Sequence, residues 1–326
     1  MDKTIEWLLE KDNPSVRYFA LKTLLDRSDD DGDVQSARRA IMRSEPLKAI
    51  LAAQDPDGFW LKPGPGYAGK YRTTTWQILF LAELGADGHN RQVRRGCDYV
   101  LEHSQAVNGG FSAFSSKEKV VPSGAIHCLN GNLIWALIAL GYGEDERLQR
   151  AVDWLAGAST GDDFSGWNST VPGPGFKCGI NGGQPCAWGA VKALRALANI
   201  PPQLQSPRVK KATQMAAEFL LGHDLAKADY PYTGNVSGEW FKFGFPLSYT
   251  SDVLEALQAV SEAGYARDPR LKKAIDLVLS KRDAEGRWLL KHSLNGKMWI
   301  DFESKGKPSK WVTLRALRVL KVAGVA

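Results

Sequence analysis

One helical segment recurs six times along this 326-residue chain, and the recurrence limits the folds that the chain can adopt. Each copy is apolar on almost every side, with alanine or glycine between the larger side chains. The copies span residues 16–25, 76–85, 132–141, 190–199, 253–264 and 313–322. Equivalent leucines follow one another at steps of 56 to 63 residues. A helix without a polar face must be covered on every side, so six near-equal units indicate a repeat architecture.

A second, amphipathic helix is predicted between successive copies. These helices span residues 34–53, 91–103, 145–156, 207–221 and 269–279, and Trp7-Leu8-Leu9 is expected to belong to the first of them. Each has one polar face and one apolar face, which is typical of a helix that packs on the outside of a ring of helices.

The predicted connections are of two lengths. Those that lead from an inner to an outer helix are short. Those that lead from an outer to an inner helix are long and span residues 54–72, 105–124, 157–185, 223–247 and 281–308. Because helices alternate in direction around a ring, the five long loops should share one rim with the N-terminal ends of the inner helices. Structureless loops of this length are uncommon unless they are functional.

Aromatic residues and glycines are concentrated in these long loops. The rings either fill the mouth of the ring as ordinary core, or they line a pocket for an apolar or cationic ligand. The candidate ligand-contacting residues are Trp60, Tyr71, Trp167, Phe245, Tyr249 and Trp311.

Composition and charge narrow the classes of partner. The net charge is +6 and the pI about 9.0, but lysine and arginine are spread along the chain without a basic stripe of stacked aromatics. Nucleic acid is therefore not an expected partner. Peripheral contact with anionic lipid, or binding of a phosphorylated ligand, stays open. Residues 1–6 begin an amphipathic helix and no apolar run approaches about 18 residues, so we expect a cytoplasmic protein without a transmembrane segment.

A short motif in the loops carries a family resemblance. Gln54-Asp55-Pro56-Asp57-Gly58-Phe59-Trp60 resembles the Q-x-x-x-G-x-W repeat of triterpene cyclases, with weaker versions at residues 104–111, 161–167 and 282–288. Together with the helical repeat, the whole chain resembles the terpenoid cyclase and protein prenyltransferase α/α toroid. The resemblance implies one all-α domain, residues 1–326, built as an (α/α)6 toroid of six helical hairpins. Its inner helices would surround a central cavity, with the long loops at one end.

The resemblance also implies an enzyme that binds or transforms an isoprenoid-like apolar substrate in the aromatic mouth. Ser251-Asp252-Val253-Leu254-Glu255-Ala256 is similar in position to the S-D-C-T-A-E motif of oxidosqualene cyclases, which makes Asp252 the candidate catalytic acid. Burial among aromatic rings would raise the pKa of Asp252 and suit it to protonate a substrate. A position at a helix N-terminus favours a capping role instead and would lower that pKa.

Three cysteines and a histidine form a candidate metal site. Cys128, Cys178, Cys186 and His223 should lie at the same rim on neighbouring units, and such ligands suit tetrahedral zinc. His127 could replace His223. The alternative is that these thiols are small buried side chains without a metal.

Two further functions are compatible with the sequence. A non-catalytic toroid would bind a lipid or a protein and would hold Asp252 in a helix cap or a salt bridge. A carbohydrate-active toroid would need two carboxylates on one cleft, which Asp252 could form with Glu255 or Asp301. The cavity of the ring distinguishes the three functions. A deep aromatic cavity favours an isoprenoid substrate, an open acidic one favours a sugar, and a filled one favours binding of a partner or a scaffolding role.

Overall fold

Thirteen α-helices make up most of the regular structure of the computed structural model, which describes residues 2–117, 119–162 and 173–325. In chain order they are α1 Lys3–Leu8, α2 Pro14–Thr23, α3 Gly32–Ile41, α4 Glu45–Ala52, α5 Thr74–Glu83, α6 Arg91–His103, α7 His127–Ala139, α8 Glu146–Thr160, α9 Ala187–Ala198, α10 Pro207–Leu221, α11 Val253–Val260, α12 Lys272–Ser280 and α13 Lys310–Ala323. Strands β1 Ser115–Ser116 and β2 Lys119–Val120 form a small antiparallel pair. No helix in the described ranges has the length and apolar character needed to cross a bilayer.

Helices α2, α5, α7, α9, α11 and α13 form an inner ring. Neighbouring helices pack along the series from α5 to α13, and α13 packs against α2. The last junction lies between α2 and the end of α5, where a Cβ added to Gly85 would come within 3.0 Å of the Phe19 ring. All residues of α5 and α11 are buried, as a helix without a polar face requires. The predicted all-α toroid is therefore confirmed, whereas the single domain of residues 1–326 stays a prediction.

The outer layer differs from the prediction at the start of the chain. Residues 34–53 form two helices, α3 and α4, where the sequence predicts one. Pro46 lies in the first turn of α4, where its missing N–H costs nothing, and Ser44 is the N-cap. Helix α1 does not belong to this outer helix, because it packs against α13 and α2. It therefore occupies the sixth outer position and completes the ring.

The long loops meet at one rim, as the pattern of connections predicts. Backbone and side-chain hydrogen bonds join loops from different units: Tyr71 N to Lys297 O (3.3 Å), Trp299 Nε1 to Arg72 O (3.0 Å), Lys291 N to Phe243 O (2.9 Å) and Thr233 N to Asn181 Oδ1 (3.0 Å). We call this rim the mouth and the opposite end of the ring the far end.

The Q-x-x-x-G-x-W motif fastens the repeat units to one another. Gln54 Nε2 donates to the carbonyls of Gly58 and Gln92, at 3.2 and 3.0 Å. The fully buried Trp60 donates from Nε1 to Ile50 O at 2.7 Å, and its backbone N–H donates to the Thr74 hydroxyl oxygen at 3.1 Å. Gly58 has φ +102°, and a Cβ there would lie 2.8 Å from a backbone carbonyl, so a larger residue does not fit. Trp288 repeats the pattern with Val278 O and Thr313.

Candidate functional site

Asp252 is the N-cap of inner helix α11 and is 5% exposed. Its Oδ1 accepts the Glu255 N–H at 2.7 Å, and its Oδ2 accepts the Gly244 N–H at 3.1 Å. The guanidinium of Arg315 approaches Oδ1 at 3.5 Å. Burial raises the pKa of Asp252, while Arg315 and the two N–H donors oppose the rise. Both carboxylate oxygens are thus already bonded within the protein.

The space beside Asp252 is nearly filled. A cleft lined by Asp252, Glu239 and His292 has a volume of about 10 Å³, roughly the smallest that holds one water molecule. The carboxylate pairs predicted for a carbohydrate-active site do not form at this cleft. Glu255 pairs with Lys192 inside the ring, and Asp301 accepts the Gly296 N–H in the loop of residues 281–308.

The mouth is closed by packed aromatic rings. Tyr71 lies edge-on to Trp76 at 4.9 Å between ring centroids, and Trp76 contacts Tyr249 at 6.4 Å. Lys70 places its Nζ 3.6 Å above the Tyr249 ring, a cation–π contact. Two of the predicted ligand-contacting residues, Tyr71 and Tyr249, therefore do lie together at the mouth.

The other described aromatics of this set lie apart from Tyr71 and Tyr249. Trp60 is fully buried in its motif and donates its Nε1–H to Ile50 O. Phe245 stacks on Trp311 with centroids 4.1 Å apart and an interplanar angle of 8°, and Trp311 lines a cavity inside the ring. Trp167 lies outside the described residues.

The structure does not bring all four predicted zinc ligands together. Within residues 2–117, 119–162 and 173–325, no group of three or more His, Cys, Asp or Glu side chains could hold a metal ion. His223 lies instead beside Asp229, at 3.6 Å, and against the Phe219 ring. The Cys178 and Cys186 thiols hydrogen-bond to each other, which lowers the pKa of Cys178 to about 6 and raises that of Cys186. Burial raises the pKa of the nearby Cys128 thiol to about 11.

His127, the alternative ligand, is a core side chain. It is 3% exposed, packs between Trp154 and Phe176, and bonds the Ala158 carbonyl at 3.3 Å. Burial lowers its pKa from 6.5 to about 4, so the folded protein holds the neutral ring where the unfolded chain already binds a proton.

We expect His127 to make the fold sensitive to acid. As the pH falls from 6.5 to 4, the unfolded state gains the proton first, so the free energy of unfolding should drop by about 3 kcal/mol. Urea unfolding followed by circular dichroism at several pH values measures this slope. His127→Gln, which stays neutral, should remove most of it, whereas His103→Gln at an exposed site should not. Equal slopes in the wild type and in His127→Gln would contradict the assignment.

Buried ion pairs, which the sequence reading missed, cross the interior of the ring. Lys192 Nζ on α9 lies 2.6 Å from both carboxylate oxygens of Glu255 on α11, and neither side chain is exposed. Arg195 on α9 bonds Glu83 at the end of α5 at 2.7 Å and lies 3.6 Å over the Trp135 ring. These charges interrupt helices that are otherwise apolar, and that interruption was the available sequence signal.

Toward the far end the ring encloses a cavity of about 290 Å³, which we call the far-end cavity. Its wall carries four guanidinium groups, those of Arg38, Arg195, Arg315 and Arg318. Against them it carries two carboxylates, those of Glu83 and Glu262, and the rings of Tyr18, Phe19, Trp135 and Trp311. The far-end cavity is thus basic and partly aromatic.

The guanidinium groups of this cavity are incompletely paired. Arg195 Nε is buried without a hydrogen-bond partner. The Arg318 guanidinium forms no hydrogen bond or ion pair with the part of the chain that the structure describes. Burial lowers the pKa of Arg318, and Glu262 opposes the change from a distance. Glu262 is itself bonded to Gln258 and Asn199, at 2.8 Å each.

No protein-family model matches this chain, and no curated protein matches it in sequence. Among solved structures, the chain is similar to the type II terpene cyclase MstE from Scytonema, at 14% identity over 97% of this chain and 89% of that one, with a TM-score of 0.47. It is also similar to the GH76 alpha-mannanase BT2949 from Bacteroides thetaiotaomicron, at 13% identity over 96% and 85% of the two chains, with a TM-score of 0.42. A possible member of the GH105 family from Salmonella enterica follows at 13% identity, 99% and 89% coverage and a TM-score of 0.44. Type II terpene cyclases are thus among the proteins whose fold this chain resembles.

Proposed function

We propose that this protein binds a small amphipathic molecule in the far-end cavity, with an isoprenoid-like apolar body and an anionic group such as a phosphate or diphosphate. The observation that carries the proposal is the excess of four guanidinium groups over two carboxylates in an aromatic-walled cavity. The proposal keeps the apolar ligand that the sequence suggests and moves it from the mouth to the far end.

The charge of the wall supports an anionic group. Arg195 and Glu83 compensate each other, Arg315 pairs with Asp252 at 3.5 Å, and Glu262 offsets one more cation, so about one positive charge of the wall remains without a matching carboxylate. A guanidinium offers a fork of N–H donors that matches phosphate and carboxylate oxygens. Arg318 is the main candidate to bind the anion, since its donors are free of other described partners.

The aromatic part of the wall supports an apolar body. Trp135 and Trp311 line the cavity with Phe19, and such surfaces favour contact with hydrocarbon or with a conjugated chain. A volume of about 290 Å³ is close to the lower end of the range for small-molecule sites, which is roughly 300–1,000 Å³. The ligand should therefore be small, or part of it should extend out of the cavity.

Binding is better supported than acid catalysis by Asp252. Both Asp252 oxygens accept backbone N–H groups, and the cleft beside them, at about 10 Å³, has no room for an apolar substrate. An aspartate whose two oxygens are held in a helix cap is what we expect of a toroid that binds a ligand without catalysis.

We expect farnesyl diphosphate to bind more tightly than either farnesol or inorganic pyrophosphate, because it combines both parts of the proposed ligand. Isothermal titration calorimetry at about 0.15 M ionic strength limits non-specific attraction between charges. Arg318→Gln should weaken binding of farnesyl diphosphate by about 10- to 100-fold, the range expected when a hydrogen bond to a charged group is lost.

Arg91→Gln is the matched control for this titration. Arg91 is the first residue of outer helix α6 and is exposed outside the ring, so its loss changes the net charge equally without touching the cavity. Equal weakening by the two variants, or equal binding of farnesol and farnesyl diphosphate, would contradict the proposed anion site.

A further inference from the structure

Two cysteines lie side by side on a short hairpin at the mouth, well away from the far-end cavity. The hairpin pairs residues 176–178 with residues 184–186 in antiparallel fashion, around the bridge between Lys177 and Pro185. Cys178 N donates to Gln184 O at 3.1 Å, and Cys186 N donates to Phe176 O at 2.9 Å. Cys178 and Cys186 are therefore diagonal neighbours, and side chains at these positions point to the same face of the pair.

The two thiols are near neighbours on this face. The Cys178 and Cys186 thiols share a hydrogen bond, and the Cys128 thiol at the start of α7 is close enough to interact electrostatically with both. Cys178, Cys186 and Cys128 are each partly accessible, whereas Cys97 is buried in outer helix α6. Cys97 is therefore the least accessible of the four cysteines to reagents in solution.

The turn between the two cysteines can adjust to a covalent link. A diagonal pair starts with its Cα atoms roughly 7–8 Å apart, whereas a disulfide needs about 4.4–6.8 Å. Gly179, Gly182 and Gly183 lie in the connecting turn, two of them at positive φ. Glycine lets such a turn change its backbone angles at little steric cost.

We infer that Cys178 and Cys186 form a thiol–disulfide exchange site that takes low-molecular-weight disulfides as its oxidant. The Cys178 thiolate attacks one sulfur of the incoming disulfide, whose S–S bond breaks, and the released thiolate takes up the proton that Cys178 lost. Cys186, as its thiolate, then attacks the Cys178 sulfur of the mixed disulfide. The second small thiol leaves with the Cys186 proton. Two protein thiols are oxidised to one disulfide, and the small disulfide is reduced to two thiols.

The first attack is assigned to Cys178 because it borders the solvent-exposed turn, where Ile180 is 97% exposed, whereas Cys186 begins helix α9. The disulfide would close a short ring at the N-terminus of α9, since Cys186 is the N-cap of that helix. Trp188, in the first turn of α9, contacts Tyr249 in the aromatic cluster that closes the mouth. Oxidation would thus fix the position of one side of the mouth.

The test uses the full-length protein and oxidised glutathione. After incubation, free thiols are blocked with N-ethylmaleimide, and the intact mass and non-reduced peptides are measured. We expect loss of two hydrogen atoms, a cross-linked peptide that joins Cys178 to Cys186, and full reversal by dithiothreitol. Cys97 should remain reduced, because its reaction with oxidised glutathione should be at least about 10-fold slower than that of Cys178.

Single variants separate the steps. Cys186→Ser should stop at a stable glutathione adduct on Cys178, and Cys128→Ser should still form the Cys178–Cys186 link. Circular dichroism melting shows whether each variant is folded, and the wild-type result does not depend on any variant. A link from Cys128 to either cysteine in place of the Cys178–Cys186 link, or separate adducts on both cysteines without a link, would overturn the inference. Either result leaves ligand binding in the far-end cavity unaffected, since the two sites share no residue.

Discussion

Replacing Lys192 with methionine should lower the free energy of unfolding by about 3–5 kcal/mol, the range for breaking a buried ion pair from one side. The Lys192 ammonium lies 2.6 Å from both Glu255 oxygens, and neither side chain reaches solvent. Without the lysine, a carboxylate stays in the interior with only Arg195, at 3.7 Å, to compensate it. Urea unfolding monitored by far-ultraviolet circular dichroism measures the loss.

Two comparisons identify the cause of this loss. The double variant Lys192→Met with Glu255→Gln removes both charges, so it should be more stable than Lys192→Met alone. Lys272→Met breaks an exposed pair with Asp276 on outer helix α12, which should change stability by about 1 kcal/mol or less. If Lys192→Met were no more destabilising than Lys272→Met, the interior pair would contribute nothing to the closure of the ring.

Trp60→Ala should lower the free energy of unfolding by a further large amount, about 3–5 kcal/mol, which is typical of a buried tryptophan reduced to alanine. The Trp60 ring is fully buried and contacts Gly96 on outer helix α6, where an added Cβ would come within 2.7 Å of the ring. Its Nε1–H also bonds the last turn of α4 through Ile50 O. The substitution therefore opens a cavity between two repeat units and leaves a carbonyl without its donor.

Trp60→Phe separates the two contributions, because it retains most of the buried ring and loses the N–H. We expect it to cost less than Trp60→Ala by at least about 1 kcal/mol. Trp299→Ala serves as the control, since this partly exposed ring also donates its Nε1–H to a carbonyl, that of Arg72. Equal losses for Trp60→Ala and Trp299→Ala in urea unfolding would show that burial of Trp60 does not join the units.

The architecture was predictable because it depends on local patterns. Apolar faces with a period of 3.6 residues, and the alternation of short and long connections, require only the order of residues along the chain. The break between α3 and α4 was missed although its cause is also local. Ser44 followed by Pro46 is a recognised start of a helix, and the amphipathic pattern on both sides hid it.

The candidate site was harder to predict because its contacts join distant segments. Glu83 and Arg195 are 112 positions apart in sequence, and only closure of the ring brings them together. Sequence periodicity shows that a helix is inner, but it does not show which of its few charged residues face the same cavity. In the structure the three cysteines at the mouth lie near one another, whereas His223, at the end of an outer helix, faces Asp229.

The docking of α1 on α13 has a consequence for how the protein is made. Lys310 on α13 forms ion pairs with Glu10 and Asp12, which follow α1 and lie about 300 positions away in the sequence. Because a ribosome synthesises the chain from its N-terminal side, α1 emerges before α13 and has no packing partner until α13 has been synthesised. Contacts between such distant segments form slowly because the intervening chain must first be brought together. The seam between α13 and α1 is therefore where chaperones would find exposed apolar surface for the longest time during synthesis.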